Sequence, residues 1–72
     1  MNTNTRFFNG TRDGSPYQAR VTETSAWIFE IDVVIFDSAT GEPHYSFTRS
    51  VEDKNHTARY MVRAVIANPD KF

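Results

Sequence analysis

Glu30 and Asp32 are the residues whose types and spacing come closest to a chemical site. They stand two positions apart in an apolar run, so in a strand both carboxylates would point to the same side of a sheet. Paired carboxylates can act as general acid and base when they flank a cleft. An open sheet face offers no cleft. We therefore expect the pair to be solvated or to meet a basic partner.

The two histidines do not indicate a catalytic or metal centre. His44 and His56 fall on different predicted elements, and the chain has no cysteine. Nucleophilic catalysis needs a serine or cysteine beside a histidine, and a metal site needs three or four convergent ligands. His44 could join Glu30 or Asp32 on one sheet face, but no third strong ligand accompanies them. We expect no enzyme activity, no metal and no cofactor.

A long central strand positions the carboxylate pair. Residues 27–37 are rich in β-branched and aromatic side chains, which favour a strand. Gly41 separates this run from a second one at 44–49, which predicts a hairpin with a three-residue loop and a bulge. Ser38 would then face Glu42. The same register pairs residues of the two strands as follows: Ile35 with Tyr45, Val33 with Phe47, and Ile31 with Arg49.

This register sorts the central strand into two faces. The first is apolar and should carry the core: Trp27, Phe29, Ile31, Val33 and Ile35. The second is mixed, because two carboxylates stand between three apolar residues: Ile28, Glu30, Asp32, Val34 and Phe36. A face that only meets solvent would be more polar, so this second face is the predicted partner-binding surface.

The remaining segments predict a small α+β domain. Residues 17–24 alternate as a half-buried strand, and residues 5–8 could add an edge strand before a loop over 9–16. Ser50 is the predicted helix cap, with Asn55 as the alternative. An apolar helical stripe follows and should close the core: Ala58, Met61, Val62, Val65 and Ile66. The expected fold is an antiparallel sheet of three strands, or of four if residues 5–8 add the edge strand, packed against one C-terminal helix.

Length and charge limit the possible functions. With 72 residues the chain should form a single small domain over 1–72, with 1–4 frayed. Its net charge of −1 argues against a polyanion binder held by bulk charge. No apolar run approaches the roughly 18 residues of a membrane span, and the first residues lack the pattern of a secretory signal. We therefore expect a cytoplasmic protein without membrane contact.

The favoured function is a non-enzymatic module that binds a protein through the mixed face, as an inhibitor or adaptor. In size and in freedom from motifs, the chain resembles phage-encoded proteins that block host defence, anti-CRISPR proteins among them. That resemblance implies action by surface contact. A small sheet with apolar residues on its outer side often pairs with a second copy, so a homodimer is an alternative use of the same face.

Nucleic-acid binding is the second function. A three-stranded antiparallel sheet followed by one helix, over about residues 17–67, resembles the arm-binding domain of tyrosine integrases and the plant AP2 domain, which lay the sheet in the major groove. The resemblance rests on the aromatic strand, the Thr40-Gly41 turn and the closing helix. Glu30 and Asp32 would repel phosphates there, which makes this function less favoured. Three basic side chains could contact the nucleic-acid backbone: Arg20, Arg59 and Arg63.

Overall fold

The computed structural model describes residues 4–72 as a four-stranded antiparallel sheet with one α-helix on a single face. The elements in chain order are β1 (Thr5–Arg12), β2 (Ser15–Ser25), β3 (Ile28–Phe36), β4 (Pro43–Glu52), α1 (Ala58–Ala67) and a 3-10 helix (Pro69–Lys71). The strands lie in the order β1-β2-β3-β4, so each pairs with its neighbours in the sequence. The predicted α+β fold is confirmed, and the optional fourth strand is present.

The register between β3 and β4 is the predicted one. The expected pairs lie opposite each other: Ile35 and Tyr45, Val33 and Phe47, Ile31 and Arg49. A slip of one residue would move the apolar side chains of β4 to the other face, and for this reason the hydrophobic pattern determines the register.

The loop of this hairpin is longer than predicted. The backbone closes at Asp37 rather than Ser38, because the Asp37 amide donates to the Glu42 carbonyl at 2.8 Å. Residues 38–41 form the loop, and His44 becomes the unpaired residue of a bulge. The Asp37 carboxylate stabilises this arrangement, since its Oδ1 accepts from two loop amides at 2.7 and 3.1 Å.

A second hairpin occupies the start of the chain, and the predicted loop over 9–16 is wrong. The edge strand expected at 5–8 continues as β1 up to an Asp13-Gly14 turn. Both turn residues have positive φ, 51° and 84°, as a two-residue hairpin turn of type I′ requires. Gly10 is not a turn residue: it lies in β1, where an added Cβ would fall 2.5 Å from the Tyr17 Oη. The residues expected to fray include 1–3, which lie outside the described residues.

Trp27 was predicted to lie in the core, and this prediction is wrong. Ser25 lies opposite Ile28, so Ala26 and Trp27 form the turn between β2 and β3. Trp27 has φ 67° and is 52% exposed. The alternation of side chains holds only within a strand, and β3 begins one residue after the tryptophan.

The predicted helix cap is also wrong. β4 continues past Ser50, and the cap of α1 is Thr57, whose hydroxyl accepts from the Tyr60 amide at 3.2 Å. Asn55, the alternative cap, lies in the preceding connection. The Asp53 carboxylate organises that connection by accepting from two of its amides, at 2.8 and 3.1 Å.

The core lies between α1 and one face of the sheet. The predicted apolar stripe of α1 is confirmed, with four residues buried and Ala58 partly buried. Each fully buried aliphatic side chain contributes roughly 1.5–3 kcal/mol relative to an exposed one. The buried hydrophobic residues are Ala19, Val21, Ile31, Val33, Ile35, Val51, Met61, Val62, Val65 and Ile66.

Candidate functional site

The sheet has one face that α1 does not cover. The alternate residues of β3 that face away from the helix are the five predicted to bind a partner: Ile28, Glu30, Asp32, Val34 and Phe36. We call these five residues and their cross-strand neighbours on β2 and β4 the outer face. No helix among residues 4–72 packs on it. The backbone therefore brings all five predicted residues together on an accessible surface.

Asp32 is the most strongly held side chain of the outer face. Its Oδ2 accepts from Arg20 Nη2 at 2.9 Å and Nε at 3.3 Å, and its Oδ1 accepts from the Thr48 hydroxyl at 2.6 Å. Partial burial raises the pKa of Asp32, but the hydrogen bonds from Thr48 and Arg20 outweigh this and hold the pKa below its ordinary value. The Asp32 carboxylate is held in place by these hydrogen bonds and links three adjacent strands, through Arg20 on β2 and Thr48 on β4.

Glu30 differs from Asp32 although it lies on the same face. It is exposed and stands opposite Thr22 on β2 and Ser50 on β4. Within the described residues its carboxylate makes no hydrogen bond. The pair therefore consists of one neutralised and one available carboxylate on an open surface, an arrangement suited to contact with a basic group.

The apolar residues of the outer face form two separate patches. Ile28, Val34 and Phe36 are all half-buried. Ile28 lies at the start of β3, while Val34 and Phe36 lie at its end, with the two carboxylates between them. Ile28 and Val34 are six residues apart on β3, or about 20 Å at the rise of an extended strand, so the patches are far enough apart to be tested separately.

Trp27 lies in the turn next to Ile28 rather than in the predicted core. It lines a hollow of ≈ 360 Å³ together with Glu52, Lys54 and Asn55. Glu52 lies opposite Ile28 on the outer face, so the hollow adjoins that face. The sequence signal for a turn near Trp27 is the short link of Ser25 and Ala26 before it, because two-residue turns between antiparallel strands are common.

The three arginines expected to contact nucleic acid are not brought together. Arg20 lies on the outer face, bonded to Asp32. Arg59 and Arg63 project from α1, on the opposite side of the sheet. They cannot join Arg20 in a single contact surface on one face.

Arg59 and Arg63 instead line a groove between β1 and α1, which we call the β1–α1 groove. It measures ≈ 690 Å³, and Arg12 and Asp13 lie at its β1 side. The Arg59 guanidinium lies 5.7 Å from the centre of the Phe8 ring, a cation–π contact. No local sequence pattern indicates this groove, because β1 and α1 lie at opposite ends of the chain.

His56 is oriented by a carboxylate but lacks the rest of a catalytic arrangement. Its Nδ1 lies 2.8 Å from Asp53 Oδ2, and its ring stacks on Tyr60 at 4.0 Å. An activated nucleophile needs a hydroxyl or thiol bonded to the imidazole, and none is present within the described residues. The remaining histidine, His44, contacts Tyr45 edge-on at 5.4 Å. Across residues 4–72, no three histidine or acidic side chains converge as metal ligands.

The comparisons with known proteins identify no family for this chain. No protein-family model, curated protein or solved structure matches it. Neither helix of the described residues is long and apolar enough to cross a membrane.

Proposed function

We propose that this chain is a protein-binding module that contacts its partner through the outer face, without catalysis of its own. The main support for this proposal is the backbone conformation of Trp27, which has a positive φ. A left-handed backbone costs a bulky residue roughly 1–2 kcal/mol, and glycine would avoid that cost. The indole is nevertheless half exposed beside an uncovered face. Strain of this kind clusters at functional positions, and tryptophan is enriched among residues that dominate binding energy.

The surroundings of Trp27 support a partner with basic and apolar groups. Glu30 follows Ile28 on β3 and Glu52 lies opposite Ile28 on β4; both are exposed, and neither carboxylate makes a hydrogen bond within residues 4–72. Glu52 lines the same hollow as Trp27, together with Lys54. An arginine or lysine of a partner would find a carboxylate and an indole face in one place. Such a module would act as an inhibitor or adaptor in the cytoplasm; a phage-encoded inhibitor of host defence is one kind of protein with this size and character.

A nuclease-treated pull-down from host lysate with three matched baits tests this function. Trp27→Gly removes the indole and suits the local backbone. Tyr60→Ala is the control, since it removes an equally exposed aromatic, 51% against 52%, from the other side of the sheet. We expect the wild type and the control to recover one stoichiometric protein that Trp27→Gly loses, with affinity for the purified partner falling about thirtyfold, or about 2 kcal/mol.

Two results would contradict the proposal. Equal recovery by all three baits would show that Trp27 is not part of the contact, and recovery that depends on nucleic acid would favour the nucleic-acid function.

The double variant Val34→Arg with Phe36→Glu tests the second apolar patch. If it folds and still binds normally, the partner contacts only the Trp27 end of the outer face. Concentration-dependent dimers lost in Trp27→Gly would identify a second copy as the partner.

A further inference from the structure

The β1–α1 groove has a chemistry unlike that of the outer face. Its charged lining comprises three guanidinium groups and one carboxylate: Arg12, Arg59, Arg63 and Asp13. Phe8, Val62 and Ile66 also line the groove; Phe8 is partly buried, and Val62 and Ile66 are almost fully buried. Arg59 and Arg63 are exposed, and no acidic side chain bonds to either of them within the described residues. This surface favours a ligand that carries negative charge on an extended, partly apolar frame.

The strand beside this groove has an open edge. β1 is the outermost strand, and no other strand of residues 4–72 pairs with its free side. In an antiparallel ladder only alternate residues exchange hydrogen bonds with the partner strand. The Asn4 carbonyl accepts from the Glu23 amide at 3.0 Å, which assigns the even-numbered residues to the β2 side. The odd-numbered residues therefore point N–H and C=O groups outward: Thr5, Phe7, Asn9 and Thr11.

We propose that this edge binds an extended acidic peptide of a partner protein, which adds to the sheet as a fifth strand. Main-chain hydrogen bonds to the odd-numbered residues of β1 would supply affinity. Alternate side chains of the peptide then fall on the helix side of the sheet, into the β1–α1 groove. There they meet Arg59 and Arg63.

The spacing of the two arginines fits this geometry. Arg59 and Arg63 are four residues apart on α1, a rise of about 6 Å. Alternate residues of a strand are about 6.6–6.8 Å apart. Two acidic side chains at positions i and i+2 of the peptide therefore match the two guanidiniums. The groove runs along both elements, since residues 7–13 of the β1 hairpin and 59–67 of α1 line it.

Other occupants fit less well. A second copy of this chain pairing edge to edge would bring its own Arg12, Arg59 and Arg63 towards the same residues, with repulsion between like charges. A nucleic acid would satisfy the guanidiniums but has no row of amides and carbonyls at strand spacing. The outward groups of β1 would then remain unpaired. An acidic peptide can both pair with the guanidinium groups of the groove and hydrogen-bond to the outward N–H and C=O groups of β1.

Binding of a synthetic peptide that alternates threonine and glutamate tests the proposal directly. Calorimetry at low salt compares the wild type with Arg59→Glu/Arg63→Glu, and with Lys54→Glu as the control charge reversal outside the groove. A second pair of variants tests the edge. Asn9→Pro removes one outward N–H and leaves the β1–β2 ladder intact, since proline is tolerated on edge strands. Asn9→Ala keeps that N–H.

We expect the double reversal to weaken binding about tenfold or more, because each arginine changes from attraction to repulsion. Asn9→Pro should also weaken binding, while Asn9→Ala and Lys54→Glu bind as the wild type does. Trp27→Gly should bind the peptide normally, which separates this proposal from that of the outer face. A peptide with alternate amides N-methylated repeats the edge test on wild-type protein, whatever the folding of Asn9→Pro.

Three outcomes would overturn the proposal. The first is no binding of the glutamate peptide, or equal binding when glutamine replaces glutamate. The second is binding that neither Asn9→Pro nor N-methylation affects, which would make the groove a site for polyanions such as single-stranded nucleic acid. The third is a concentration-dependent dimer that Asn9→Pro abolishes, which would make a second copy the occupant of the edge.

Discussion

The two faces of the sheet use alternate residues of the same strand in different ways. On the helix side, Ile31, Val33 and Ile35 expose at most 3% of their surface. On the outer face, the best-held residue is Asp32, which is fixed by hydrogen bonds rather than by packing. Burial of apolar surface stabilises a fold more than exposed ion pairs do. The stability of this domain is therefore concentrated on one face, and the side chains of the other face are available for binding.

Truncation at matched positions of β3 gives the largest test of this difference. Ile31→Ala, on the helix side, should lower the free energy of unfolding by roughly 2–5 kcal/mol, because it leaves a cavity in the core. Val34→Ala, on the outer face, should cost less than about 1 kcal/mol. Urea unfolding measures both. Ile31→Val, at about 0.5–1.5 kcal/mol, keeps the comparison measurable if the alanine variant does not fold.

Equal costs for Ile31→Ala and Val34→Ala would contradict the comparison. That result would mean that the outer face is covered in solution, and sedimentation would then show whether a second copy covers it.

The second test replaces Trp27, the residue with positive φ in the turn between β2 and β3. Trp27→Gly should raise the free energy of unfolding by up to about 1 kcal/mol, because glycine adopts the positive φ without a steric penalty. Trp27→Ala is the matched variant: it loses the same indole but keeps a Cβ in the left-handed conformation. Thermal melts should rank glycine above alanine. The opposite order would show that the indole, rather than the backbone, dominates stability at this position.

The smallest effect concerns the carboxylate of the outer face and its pH dependence. The pKa of Asp32 lies below the ordinary value of 3.8, so its contribution to stability is complete above that value and is lost as pH falls through the folded-state pKa. Asp32→Asn should cost about 0.5–1 kcal/mol at neutral pH, as expected for an exposed ion pair with Arg20. Its melting temperature should approach that of the wild type towards pH 2.

Glu30→Gln is the control for that pH series, because the Glu30 carboxylate makes no hydrogen bond within residues 4–72. Its curve should follow the wild type throughout. The wild type itself should lose stability in acid, since backbone amides also hold the pKa values of Asp37 and Asp53 below the ordinary value. An equal effect of Glu30→Gln and Asp32→Asn would show that the hydrogen bonds of Asp32 contribute nothing.

The sequence predicted those parts of the fold in which one periodicity holds. The β3–β4 register and the stripe of α1 follow from periods of two and 3.6, and both are confirmed. The errors lie where one residue type has two uses. Gly10 suggested a turn but allows the close approach of Tyr17, and Ser50 suggested a helix cap but lies within β4. Trp27 was placed on the core face because it was counted as part of the strand, whereas it lies in the turn before β3 with positive φ.

The candidate surfaces were predictable to different degrees. The five residues of the outer face follow from alternation within a single strand. To predict that Arg20 pairs with Asp32, one must know the β2–β3 register, which depends on the turn at Ala26 and Trp27. The β1–α1 groove needed the contact between two ends of the chain, and no local pattern encodes such a contact.

The strand order of this sheet has a consequence for how the molecule folds. Because β1, β2, β3 and β4 pair in chain order, every ladder can form by closing a short loop. Only the packing of α1 on the sheet requires distant segments to meet. Topologies rich in local contacts fold quickly, and we expect the meander to form before the helix docks. The outer face would then exist early in folding, while the β1–α1 groove would appear only in the last step.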